Sequence, residues 1–270
     1  MSRAWFVILA ASALSACIGG TEPGDPIDFG SVGLDINSDG SGGYTASPLG
    51  YFTRGFLASQ PTTIPANRCL VLGFSPVQVI PDGIVYTDPG SPVQVTVGAT
   101  TVTLVQTQQQ SGLRAYTAPS FAVTPGDMAT LTVPGAAGGF PQTSATVRTA
   151  EPFTASPVPV VEDPPGIPLQ WTTPEAPIVG QIMVVSLRYA AAGGTQLDRQ
   201  ILCELTDNGT YTVPADVGTG WGDPGVQIRS VVFQRVRRQV VPLGENILEF
   251  GSTYDVIGAT FVPTTTSVAR

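Results

Sequence analysis

Asp35, Asn37 and Asp39 alternate just ahead of Gly40, and side-chain oxygens at that spacing could gather round a hard cation. The pattern Asp-x-Asn-x-Asp-Gly opens a calcium loop, in which glycine permits the sharp turn. The closing carboxylate belongs at the twelfth position, where this chain has Ala46, and no helical pattern flanks the segment. Calcium is therefore a weak candidate, and a polar hairpin turn through Gly43 accounts for the same residues. No other cofactor is implied.

A second grouping is Arg235, Arg237 and Arg238, in a stretch expected to be a strand. Period-two geometry puts Arg235 and Arg237 on one face and Arg238 on the other. Such a pair could grip a phosphate or an anionic glycan; it could equally be a charged solvent face or edge. Trp221 lies in the Gly-rich segment 218–225, expected to be a loop. Its ring could stack on sugar or peptide, or plug the end of a β-sandwich.

Composition removes most catalytic chemistry. The chain has no His, and its 12 basic residues are all Arg. Ser-His-Asp, Cys-His and Ser-Lys arrangements therefore cannot be built within it. Zinc sites of the usual kind lack their ligands. Paired carboxylates survive, such as Glu245 with Glu249 or Glu162 with Asp163. Two acids across a cleft could hydrolyse a glycoside, but any acidic chain offers such pairs. The expectation is a protein that is not an enzyme. Its net charge of −8 argues against nucleic acid as a partner.

At the N-terminus, Arg3 precedes an apolar run and then Leu14-Ser15-Ala16-Cys17. One positive charge, a short apolar core and small residues before a cut site make a secretory signal. The run is shorter than the ~20 residues a membrane span needs. The four-residue motif resembles the lipobox of bacterial lipoproteins. That resemblance implies a signal peptide at 1–16, lipid attached to the Cys17 thiol, and an acylated new N-terminus. No Asp follows Cys17, which suits export to the outer membrane of the bacterial cell envelope. The implied partners are the membrane, through the anchor, and an envelope protein or glycan.

These residues need elements to position them. Gly, Pro, Thr and Val are abundant and only 12% of residues are charged, which suits short strands and frequent turns. An all-β fold is expected. Residues 17–30 read as a flexible tether and 31–152 as a first β-sandwich. A Pro-rich connector at 153–166 could lend an edge strand over 158–161. The second sandwich then covers 167–270. Tandem antiparallel domains of this size resemble immunoglobulin and fibronectin modules, a likeness of fold that carries no function. Within them, 93–97 and 101–105 form the clearest hairpin, and Asp207-Asn208-Gly209 is a strong turn. Cys69 and Cys203 fall in different halves, so they are expected as two free, buried thiols; the alternative is a bridge joining the halves.

Overall fold

The computed structural model describes residues 27–54, 66–75, 85–108, 114–160, 166–174, 181–257 and 261–263. The signal segment, Cys17, Glu162 and Asp163 lie outside them. In chain order the strands begin with β1 (Asp28–Ser38), β2 (Tyr44–Arg54), β3 (Arg68–Gly73), β4 (Val85–Tyr86), β5 (Val93–Val97) and β6 (Thr100–Gln108). Next come β7 (Arg114–Thr117), β8 (Phe121–Val123), β9 (Met128–Val133), β10 (Thr143–Arg148), β11 (Val158–Val160) and β12 (Ile167–Gln170). The series continues with β13 (Gln181–Tyr189), β14 (Arg199–Thr206) and β15 (Thr210–Val213), then helix α1 (Ala215–Gly222). It closes with β16 (Arg229–Leu243), β17 (Asn246–Ile257) and β18 (Phe261–Pro263).

Among the described residues the fold is all-β apart from α1, in line with the composition. Strand pairing gives one fourteen-stranded sheet and two of two strands, rather than the separate sheet pairs that two tandem sandwiches would show. Two compact units nonetheless exist, with interleaved boundaries. Unit 1 draws on Met1–Thr63, Val79–Ala150 and Arg237–Thr253; unit 2 on Ile64–Gln78, Glu151–Val236 and Tyr254–Arg270. The Cys69 strand thus belongs with the second unit, and much of β17 with the first. Spacing of strands along a chain reports their number, not their partners, so the simple cut near 153–166 was the natural expectation.

Unit 1 is built on alternation. In β5, Val93, Val95 and Val97 are buried while Gln94 and Thr96 are half-buried. The β5–β6 hairpin forms as expected, with Val97 opposite Thr100 and Gly98 turning at φ 55°. Cross-strand neighbours Thr101, Thr96, Thr130 and Thr146 line up along β6, β5, β9 and β10. Threonine suits that position because its branched Cβ fits a pleated face while its hydroxyl stays polar. On the buried side, Phe52 packs edge-on against Phe140 (5.1 Å) and Tyr116 (5.4 Å). Strand β1 starts at Asp28, inside the stretch expected to be tether. Buried Asp28 anchors it by accepting from Arg54 Nε (2.8 Å) and Thr87 Oγ1 (2.8 Å).

Unit 2 packs β13, β14 and β16 against β12, β15, β11 and α1. Its core holds Leu169, Val213, Val158 and Trp221 with Met183, Val185, Leu187, Ile201 and Phe233. Burying an aliphatic side chain of this kind contributes about 1.5–3 kcal/mol. Strand β11 forms within the Pro-rich stretch and pairs parallel with β18. The turn after β14 is present, but β15 pairs antiparallel with β12 rather than returning along β14.

Two expectations in this unit are corrected. Cys69 and Cys203 form a disulfide, not free thiols, and it lies inside unit 2 because β3 is the antiparallel neighbour of β14 with the two cysteines in register. The segment around Trp221 is a helix, not a loop. Asp216 stands in its first turn, where a negative charge is favourable. Three glycines weaken its intrinsic preference, so tertiary contacts hold it. Arg229 donates to the carbonyls of Trp221 in the last turn (2.9 Å), of Asp223 just after it (2.8 Å) and of Val226 (2.5 Å), tying the helix end to β16.

Candidate functional site

The sequence-flagged residues do not come together. Asp39 sits in the β1–β2 turn, where one carboxylate oxygen accepts from Ser41 N (2.8 Å), Ser41 Oγ (2.8 Å) and Gly43 N (2.9 Å). Those hydrogen bonds stabilise the carboxylate and hold its pKa below the ordinary Asp range. Asn37 turns back on Asp35 through its Nδ2 (3.1 Å), and the flanks are strands, not helices. Among the described residues, no cluster of three or more Cys, Asp or Glu is arranged to hold a metal. Glu249 is buried in β17, and Glu245 lies in the turn before it.

Arg235 and Arg237 share a face, but that face is interior: each is only 1% exposed. The same alternation carries Val231 and Phe233, both buried, and Gln234 and Val236 on the opposite face are buried too, so β16 is covered on both sides here. A buried guanidinium cannot reach an external anion, which corrects the anionic-ligand expectation. Trp221 is fully buried too. Its Nε1 donates to the Pro159 carbonyl (3.0 Å), and its ring meets Tyr189 edge-on (6.4 Å). It fills the core and offers no face to a ligand.

What Arg235 does instead builds the best candidate site. Its Nε donates to Asp207 Oδ2 (2.6 Å), and its Nη2 to the Thr172 carbonyl (2.6 Å). Its Nη1 reaches the carbonyls of Glu151 and Pro152 (3.3 Å each), and the group lies 4.8 Å from the Phe153 ring centre. Asp207 also accepts from Trp171 Nε1 (2.6 Å) and Gln181 Nε2 (2.6 Å). An ion pair this buried stands only when its remaining donors and acceptors are matched. Here it clamps the chain after β10, the end of β12 and the turn after β14 to β16.

Over that clamp lies an open depression of about 740 Å³. It is lined by Thr154, Ser156, Thr172, Thr210, Gln170 and Asn208, with Trp171 also contributing; the Thr172 hydroxyl accepts from Thr154 N (3.0 Å) and Asn208 Oδ1 from Thr210 N (3.3 Å). None of its lining residues is charged. Gln170 and Thr210 are direct cross-strand partners on β12 and β15. The backbone beneath is already paired: Ser156 N to Gln170 O (2.9 Å), Thr172 N to Thr154 O (2.9 Å), and Trp171 N to Gly209 O (2.9 Å). Gly209 adopts φ 92°, and a Cβ there would meet the Thr173 methyl at 2.7 Å. The arrangement can exchange hydrogen bonds with a neutral polar ligand through side chains alone.

Sequence reasoning missed this site. Asp207 and Asn208 read as turn residues and Gln170 and Thr210 as ordinary strand residues. The available signal was the pair of arginines on an apolar strand face, which demands a buried acid. Compared with protein-family models and with curated proteins, the chain matches none.

Proposed function

We propose that this is a non-catalytic binding protein of the bacterial cell envelope, held at the membrane by lipid on Cys17 and engaging its ligand at the unit 2 depression. The observation that carries the binding role is the uncharged, hydrogen-bonding depression fixed over the Arg235–Asp207 pair. The location rests on Leu14-Ser15-Ala16-Cys17 after a short apolar run. Two or more acyl chains make a firm anchor, since each buried CH₂ contributes about 0.8 kcal/mol. Two sandwich-type modules, each closing a buried face on its own strands, belong to the same proposal; the two-sided core of unit 2 supports it. Neither sequence-stretch alternative, a two-carboxylate glycosidase or a calcium-dependent adhesion module, gains a specific observation.

The location is tested in cells fed an alkyne palmitate analogue. The wild-type protein should be labelled and should sediment with membranes. Cys17→Ser should be unlabelled and soluble after signal processing. A labelled, membrane-bound Cys17→Ser protein would remove the anchor from the proposal.

A further inference from the structure

We infer that the unit 2 depression takes a neutral oligosaccharide, an inference that rests on the binding reading and narrows it to a ligand class. The lining groups are hydroxyls and primary amides, each able to donate and to accept. A sugar presents the same two-way chemistry at every hydroxyl. A wholly apolar ligand would leave these hydroxyls and amides without partners. The lining has no cation to meet a phosphate, sulfate or carboxylate. The chain's net charge of −8 adds long-range repulsion against polyanions. Threonine methyls and Ala155 leave small apolar patches between the polar atoms, suited to the C–H faces of a pyranose.

A peptide is the competing occupant, and the backbone argues against it. Strand addition needs an open row of amides and carbonyls. On the floor of the depression, the amides of Ser156, Trp171 and Thr172 are already bonded within the unit. These three amides are therefore closed to a ligand, and recognition at this floor falls to the side chains beside them. Those side chains stand on elements that the buried Arg235–Asp207–Trp171–Gln181 network holds in place. The backbone carrying them is thus ordered before binding, and only the side chains' own rotamers remain to be fixed.

The test uses the full lipidated protein in nanodiscs, titrated with a panel of neutral gluco-, manno- and galacto-oligosaccharides, uronate-containing oligosaccharides, and uncharged peptides. Saturation-transfer NMR and tryptophan fluorescence report binding, the latter through Trp171 beneath the site. At least one neutral saccharide should bind. Gln170→Ala with Thr210→Val should weaken it tenfold or more, and Ser156→Glu should do the same, with Tm unchanged in both. Ser156 is exposed, so its replacement leaves the fold intact and keeps the test valid if the double variant unfolds. Binding of no neutral saccharide, or binding indifferent to all these substitutions, overturns the inference. Peptide binding that Ser156→Glu abolishes also overturns it, while leaving the wider binding reading standing. A panel with no binder of any class defeats both.

Discussion

Removing the Asp207 carboxylate would leave the Arg235 guanidinium buried beside three backbone carbonyls with no counter-charge. Breaking one side of a buried pair in this way costs about 3–5 kcal/mol, more than the intact pair contributes over apolar replacements. Asp207→Ala should therefore lower stability by that amount in urea unfolding. Asp207→Leu with Arg235→Met should recover part of it, because no buried charge then needs a partner, although Trp171 Nε1 and Gln181 Nε2 still lose their acceptor. A second residue-level effect concerns pH. The hydrogen bond from Arg54 holds the Asp28 carboxyl below its ordinary value, with Thr87 adding to it against the opposing effect of burial. A lowered folded pKa means the unfolded chain takes up the proton first. The contribution is thus complete above the ordinary Asp range and is lost as pH falls through the folded value. Asp35 works in the opposite direction, since burial raises its pKa. Arg54→Met should flatten the acid limb of a stability-versus-pH curve; an unchanged limb would mean that Asp28 is not what sets it.

At the scale of elements, β3 is tied to β14 by the Cys69–Cys203 bridge, across a sequence separation of 134 residues. Closing so long a loop restricts the unfolded chain, and such bridges contribute about 2–5 kcal/mol. Cys69→Ala with Cys203→Ala should lose a comparable amount by denaturant titration, and reductant should then have no further effect. Helix α1 gives a prediction against simple propensity. Gly→Ala inside a helix ordinarily gains about 1 kcal/mol. At Gly220, however, a Cβ would meet the Tyr189 hydroxyl at 2.5 Å and two ring carbons at 3.0 Å. Gly220→Ala should therefore lower Tm, and a rise would show that α1 can shift off Tyr189. The glycines that made this stretch read as a loop are what allow the helix to lie close to its neighbours.

For the molecule as a whole, the absence of lysine has a consequence of its own. If Cys17 is lipidated and N-acylated, the mature chain carries no primary amine at all. An amine-reactive dye should then leave the purified membrane form unlabelled. Labelling at one site per chain would mean that the new N-terminus is free. This reads out acylation separately from membrane attachment, because the thioether lipid alone could still hold the protein.

The sequence by itself determined what composition and short-range pattern control. Val and Thr alternating over 93–97 and 101–105 marked that hairpin, because one face had to be buried and a short loop had to turn; the register, with Thr100 opposite Val97, came from the structure. The lack of His and Lys ruled out several catalytic arrangements without any coordinates. Only the tertiary structure decided which strands became neighbours. Register across β3 and β14 brought Cys69 to Cys203, and pairing of β15 with β12 set Gln170 beside Thr210. Both depend on contacts between residues far apart in the chain, whose partners no local pattern names. The arginines fall between the two. Their alternation with Val231 and Phe233 was written in the sequence, but their meaning required Asp207 to arrive from another strand end and make burial of the charge tolerable.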